Sequence, residues 1–149
     1  MGRTLLIWAI ISGNLVVVHQ EVMRILLQQK KVNPNTADQD GRTPLSRAAR
    51  GGFEDVVTLL LDRKEVSPNT TDILYDKTPL SWVAGNGYGI VIKLLLAHSD
   101  INPGLAEKKG RTPLSWAVQY GGEEVAKMLV GHTEANLSTR DINGRTPIS

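Results

Sequence analysis

Apolar residues recur in fixed register along this chain, set off by a short polar signature. Thr43-Pro44-Leu45-Ser46, Thr78-Pro79-Leu80-Ser81 and Thr112-Pro113-Leu114-Ser115 follow one another at intervals of 35 and 34 residues, and Thr146-Pro147-Ile148-Ser149 comes 34 later. Nine residues after the Thr of each full unit stands a Gly: Gly13 from Thr4, then Gly52, Gly87 and Gly121. Beyond it the pairs Val56-Val57, Val91-Ile92 and Val125-Ala126 repeat in step, as do Leu59-Leu60-Leu61, Leu94-Leu95-Leu96 and Met128-Leu129-Val130. Each unit then runs into an extended segment, at Val32 to Asn35, Val66 to Asn69 and Ile101 to Gly104. Self-similarity at such a period marks an array of stacked supersecondary units.

Each unit reads as helix, turn, helix and hairpin. Thr followed directly by Pro starts a helix, because Pro in the first turn lacks only an N–H that would have gone unpaired, and the Thr hydroxyl can cap. At about 100° per residue, Leu45, Ala48, Ala49 and Gly52 share one face of the first helix, and small residues there let neighbouring helices approach. The Gly at the ninth step ends the helix by taking a left-handed conformation. The second helix carries the Val-Val and Leu-Leu-Leu positions and is apolar most of the way round, as a helix between neighbours should be. Isolated helices become marginal only at about 12–15 residues, so stability has to come from stacking one unit on the next. The units fall at 1–37, 38–71, 72–106 and 107–140, with a partial fifth at 141–149, and extra residues around Asn14 to Val18 lengthen the interhelical turn of the first.

These residues resemble the ankyrin repeat family, whose Thr-Pro-Leu-His-x-Ala signature stands here as Thr-Pro-Leu-Ser-x-Ala. The resemblance covers essentially the whole chain and implies an all-α ankyrin-repeat solenoid, stacked helix-turn-helix units joined by β-hairpin loops. Ser46, Ser81 and Ser115 take the place of the usual His, so a shorter hydroxyl has to serve. The Gly usual after the second helix is Lys64, Ser99 and Thr133, and Asp76 replaces the hairpin Gly found at Gly41, Gly110 and Gly144. The chain stops inside a fifth first helix, as a segment of a longer array would. The Ser variant, with frequent Trp after it, is similar to ankyrin arrays of large fungal multidomain proteins, including NACHT-type receptors.

Composition agrees and narrows the function. The 149 residues are 41% hydrophobic and 21% charged, ordinary for one globular domain. There is no Cys, hence no disulfide framework or thiol nucleophile, which fits a reducing, cytoplasmic setting. Seventeen basic against fifteen acidic residues leave a charge of only +2, so nucleic acid is a poor candidate partner. No apolar run is long enough to span a membrane, and the triplets at Asn69 and Asn136 are the kind that recur by chance. The serines recur once per repeat without a neighbouring base, so they read as helix-start hydrogen-bond formers, and no enzyme is expected. His98 and His132 share a position near the end of the second helix, about one helix spacing of ~10 Å apart, too far to share a metal with bonds near 2 Å. No metal or cofactor is expected.

Two features remain as candidate binding elements. A basic residue precedes each Thr, forming a column of Arg3, Arg42, Lys77, Arg111 and Arg145. It is either an anion-binding ladder or a set of hairpins tied to nearby Asp38, Asp40, Asp76, Glu107 and Asp141, and the second is favoured because charges ~10 Å apart in water repel by only about 0.4 kcal/mol. Lys108, Lys109 and Arg111 make a locally basic tip suited to an acidic partner. The position four after the Thr holds Trp8, Arg47, Trp82 and Trp116, residues that either fill space between repeats or contact a partner. In the family, hairpin tips and the inner helical surface line a concave protein-binding groove. Carried over by position, that groove includes Gln39, Asp40, Arg42, Arg50, Leu74, Tyr75, Lys77, Trp82, Asn86, Lys108, Lys109, Arg111, Trp116, Gln119 and Tyr120. The expected function is a non-catalytic protein-binding module, monomeric unless its C-terminal end self-associates; a structural spacer and a salt-sensitive anion surface are the rivals.

Overall fold

A computed structural model of the chain describes residues 5–11, 16–29, 31–132 and 140–146, and every structural statement below concerns those residues. Eight α-helices follow in chain order: α1 (Leu5–Ile11), α2 (Val16–Gln28), α3 (Pro44–Gly51), α4 (Glu54–Leu61), α5 (Pro79–Asn86), α6 (Gly89–Leu96), α7 (Pro113–Trp116) and α8 (Glu123–His132). The odd-numbered helices form one layer and the even-numbered helices a second, each packing on its partner and on the equivalent helix of the next unit. The apolar spacing accounts for both layers. Leu45, Ala48, Ala49, Leu80, Val83, Ala84, Leu114 and Ala117 bury the inner helices, and Val57, Leu60, Val91, Ile92, Leu95 and Leu129 bury the outer ones, all in one continuous core. Each large apolar side chain so buried contributes about 1.5–3 kcal/mol. In the first unit α2 already starts at Val16, so part of the segment expected as a lengthened turn is helical.

The Thr-Pro-Leu-Ser signature works as a cap. Thr43, Thr78 and Thr112 are extended at the N-cap position, and each hydroxyl accepts the backbone N–H of the Ser three residues on, at 3.2, 3.0 and 3.3 Å. The Ser hydroxyl closes on the Thr hydroxyl at 3.1 to 3.3 Å, so a hydroxyl pair occupies the place of the absent imidazole. Ser46 and Ser81 are fully buried. At the other end, Gly52 and Gly87 are left-handed, with φ of 71° and 76°. The fourth unit departs from this pattern. α7 widens after Trp116 into a π-helical turn over Ala117–Gly121, and the positive φ moves to Gly122, whose ψ of 167° sets it apart from the left-handed Gly52 and Gly87. Phe53 and Tyr88 precede α4 and α6, whereas Gly122 holds that position before α8. Gly121 comes so close to the preceding inner helix that a Cβ there would overlap the Ala84 carbonyl oxygen.

An acidic residue opens every hairpin. The backbone N–H of Asp38, Asp72, Glu107 and Asp141 donates to the carbonyl of Arg42, Lys77, Arg111 and Arg145 at 2.9 to 3.1 Å. Each turn needs one left-handed residue, supplied by Gly41, Gly110 and Gly144 and, in the third unit, by Asp76 at φ 56°. The Asp76 turn is also one residue longer: its N–H returns to Asp72, four back, where Gly41 and Gly110 return three. Adjacent hairpins join through single bonds, Ile73 N–H to Asp40 O at 2.9 Å and Ile142 N–H to Lys109 O at 3.0 Å, and no strand forms among the described residues. On the far edge the Pro-Asn segments form a second series of links. Asn35 accepts from Ser67 N–H and Asn69 from Asn102 N–H, both at 2.8 Å, and the Asn69 amide also donates to Asp100.

Candidate functional site: the hairpin and inner-helix face

Trp82 and Trp116 stand at the same position of α5 and of α7, four residues after the capping Thr, and they interleave with the basic column. The Lys77 ammonium lies 3.3 Å from the centroid of the Trp116 ring and 4.4 Å from that of Trp82. Arg42 and Arg50 cover Trp82 at 5.3 and 5.0 Å, and Arg111 covers Trp116 at 4.4 Å. Cation, ring, cation, ring and cation thus alternate across three repeats. Contacts of this kind contribute about 0.5–2 kcal/mol each, more as they are desolvated. Two tyrosines extend the array, with Tyr75 edge-on to Trp82 (5.6 Å, 89°) and Tyr120 stacked on Trp116 (5.8 Å, 23°).

The hairpin acids differ in how they support this array. Asp72 is buried; one carboxylate oxygen accepts the Trp82 indole N–H and the other the Tyr75 backbone N–H, both at 2.7 Å. In the second unit Arg47 replaces the Trp and forks onto Asp38, with Nε at 2.7 Å and a second nitrogen on the same oxygen, while also reaching Asp40 at 2.8 Å. Burial pushes the Asp38 carboxyl up, but Arg47 and the backbone N–H of Arg42 and Asp40 outweigh it and hold the carboxyl below its usual value. In the fourth unit the acid is Glu107, one methylene longer. Its carboxylate lies 3.4 Å from Arg111 and leaves the buried Trp116 N–H without a partner among the described residues. Burial pushes Glu107 above the usual range against the attraction of Arg111, Lys77 and Lys109. Lys77 is pushed down by its own burial, with Glu107 and Asp72 drawing it back.

The hairpin-tied arrangement describes Arg42 and Arg111, which lie 3.1 and 3.4 Å from Asp40 and Glu107, and does not describe Lys77. Arg42 and Lys77 are buried, Arg42 pairs with Asp40 at 3.1 Å, and Lys77 is held by aromatic rings rather than by a carboxylate in direct contact. Arg3 lies outside the described residues. Trp82 is 9% exposed, whereas Trp8, at the same position on α1, is 62% exposed. Lys108, Lys109, Arg50, Asn86, Gln119, Tyr75 and Tyr120 are exposed, as is Gln39 at the second hairpin tip. Asn86 donates to the Arg50 carbonyl at 3.0 Å, and Gln119 accepts from Arg111 at 3.4 Å. Sequence reading did not single out Asp72, whose signal was the acid that opens each hairpin, or Ile73, 72% exposed beside Leu74 and Tyr75.

Between the third and fourth hairpins lies a cleft of about 190 Å³, lined by Ile73, Leu74, Tyr75 and Asp76 on one side, Glu107, Lys108, Lys109 and Arg111 on the other, and Trp116. Lys108 is tied across it, its N–H donating to Asp76 at 2.8 Å and its ammonium 3.4 Å from the same carboxylate. The two histidines act locally: His98 Nδ1 accepts the Asp100 N–H at 3.2 Å and His132 Nδ1 lies 3.0 Å from the Met128 carbonyl. No group of three His, Asp or Glu residues suited to a metal occurs among the described residues.

Paired helices in two layers, linked by hairpins and repeated in register, define an all-α repeat solenoid. The family model described as ankyrin repeats (3 copies) matches residues 1–72 and 64–141, and the chain belongs to the ankyrin repeat family. Ankyrin repeats are generally protein–protein interaction modules and typically non-catalytic. No curated protein matches the chain. Among the described residues no helix is long and apolar enough to cross a membrane.

Proposed function

We propose that this chain binds a partner protein through the face formed by its hairpin tips and inner helices, acting without catalysis in a cytoplasmic setting. The observation that carries this reading is the exposed apolar tip Ile73-Leu74-Tyr75, standing beside exposed Lys108 and Lys109 over side chains that the ring and cation array already holds in place. Large apolar side chains exposed together, with a polar rim, mark interaction surfaces. Because the surface beneath them is fixed beforehand, less conformational freedom is lost on binding. Burial of Arg42 and Lys77 weighs against a continuous phosphate-binding ladder. The hairpin bonds at Asp38, Asp72, Glu107 and Asp141 support unit boundaries at 38, 72, 107 and 141.

A capture experiment from lysate of the cells that express the protein tests the reading at two salt concentrations. The comparison is between the wild-type chain and a Tyr75→Ser, Lys109→Glu, Tyr120→Ser variant shown to be folded by circular dichroism. Trp82 is left intact because it is buried. The expected result is a protein retained at both salts and lost in the variant; equal retention by the variant, or nucleic acid released at the higher salt, counts against it.

A further inference from the structure

We infer that the cleft between the third and fourth hairpins receives, from the partner protein, an acidic residue next to a bulky apolar one. This rests on the protein-binding reading above and names the chemistry of what enters. One wall of the cleft is apolar and unprotected, with Ile73 and Leu74 72% and 58% exposed. The other wall is cationic. Lys109 is exposed, and its ammonium has no counter-ion within 4.0 Å among the described residues. Arg111 lies over Trp116, while its contacts with Glu107 and Gln119 are both at 3.4 Å. Those distances exceed the roughly 2.7–2.9 Å of a well-formed charge-assisted bond, so the guanidinium keeps donors for a carboxylate brought to it.

Size and charge select the occupant. At about 190 Å³ the cleft is smaller than the roughly 300–1,000 Å³ of sites that enclose a small molecule, and suits one large side chain anchored within a wider interface. Asp76 already neutralises Lys108, so a visiting carboxylate is directed to Lys109 and Arg111. A run of phosphates would meet Asp76 and Glu107 at once, and would gain nothing from the apolar wall.

The test is a selection of phage-displayed random dodecapeptides on the full chain, followed by anisotropy titration of the fluorescein-labelled winners. Winners are titrated against wild type, Lys109→Glu, Tyr120→Ser and Lys64→Glu. Lys64, in the turn after α4, controls for the change in net charge. The expected winners carry Asp or Glu within two residues of a large apolar residue. Their affinity falls about tenfold or more with Lys109→Glu, falls equally when the peptide acid is changed to its amide, and changes less than about twofold with Lys64→Glu. Winners lacking the acid, or equal losses in both charge reversals, overturn the inference. Winners abolished by Tyr120→Ser but indifferent to Lys109→Glu overturn it and leave the protein-binding reading standing, whereas no winner dependent on this face overturns both.

Discussion

Trp82 and Trp116 hold equivalent positions, yet one indole N–H is bonded to a buried aspartate and the other has no partner among the described residues. The two acids differ by one methylene and their hairpins by one residue, and the Glu107 carboxylate lies 3.4 Å from Arg111. Trp82→Phe keeps most of the ring but leaves a buried carboxylate oxygen unpaired, and is expected to cost about 1.5–3 kcal/mol in urea unfolding; Trp82→Ala, which also leaves a cavity, is expected to cost about 3–5 kcal/mol. A loss below about 0.5 kcal/mol for Trp82→Phe would contradict the hydrogen-bond assignment. The Asp38 to Arg47 pair has its own signature in pH. Its native carboxyl titrates below the ordinary 3.8, so its stabilisation is fully present above that value and is lost as pH falls through the lowered native one. The stability gap between wild type and Asp38→Asn, about 2 kcal/mol at neutral pH, should therefore narrow as urea titrations are taken below about pH 4. A gap independent of pH would show that Arg47 does not depend on the charge.

At the scale of elements, glycine separates close approach from mere permissiveness. Gly121 lies in the π-helical turn against the Ala84 carbonyl, and Gly131 lies in α8 with open space where a Cβ would stand. Gly121→Ala is expected to destabilise by about 2 kcal/mol or more, because backbone has to move. Gly131→Ala should stabilise by about 0.5–1 kcal/mol through helix propensity alone. Thermal unfolding of the two variants checks both signs together. Helix starts, the left-handed Gly52 and Gly87, and the layer each apolar residue joins were legible in the sequence, because capping and periodicity are local. The π-helical turn was not. Gly121 sits in register with the other two glycines, and only its contact with the neighbouring helix, together with Gly122 in the place of Phe53 and Tyr88, distinguishes it. Asp76 was readable as a departure from glycine, although the added residue in its turn emerges only from the hydrogen bond back to Asp72.

Across the whole molecule, stacking brings into contact residues that the sequence keeps about one repeat apart. Lys77 and Trp116 each belong to a recognisable column, one basic and one aromatic, but that the ammonium of one repeat sits on the ring of the next depends on how adjacent units lie together. The candidate face was legible by position, and its division into a buried array and an exposed rim was not. Arg42, Lys77 and Trp82 stabilise the surface from within, while Tyr75, Lys109 and Tyr120 are what a partner would touch. The most direct measurement replaces Tyr75 and, separately, Ile90 on the outer helix α6, which are 56% and 55% exposed, with the photocross-linker p-benzoylphenylalanine in expressing cells. A discrete cross-linked protein from the Tyr75 position and none from Ile90 is the expected result. The same adduct from both positions, or from Ile90 alone, would contradict the assignment of binding to the hairpin and inner-helix face.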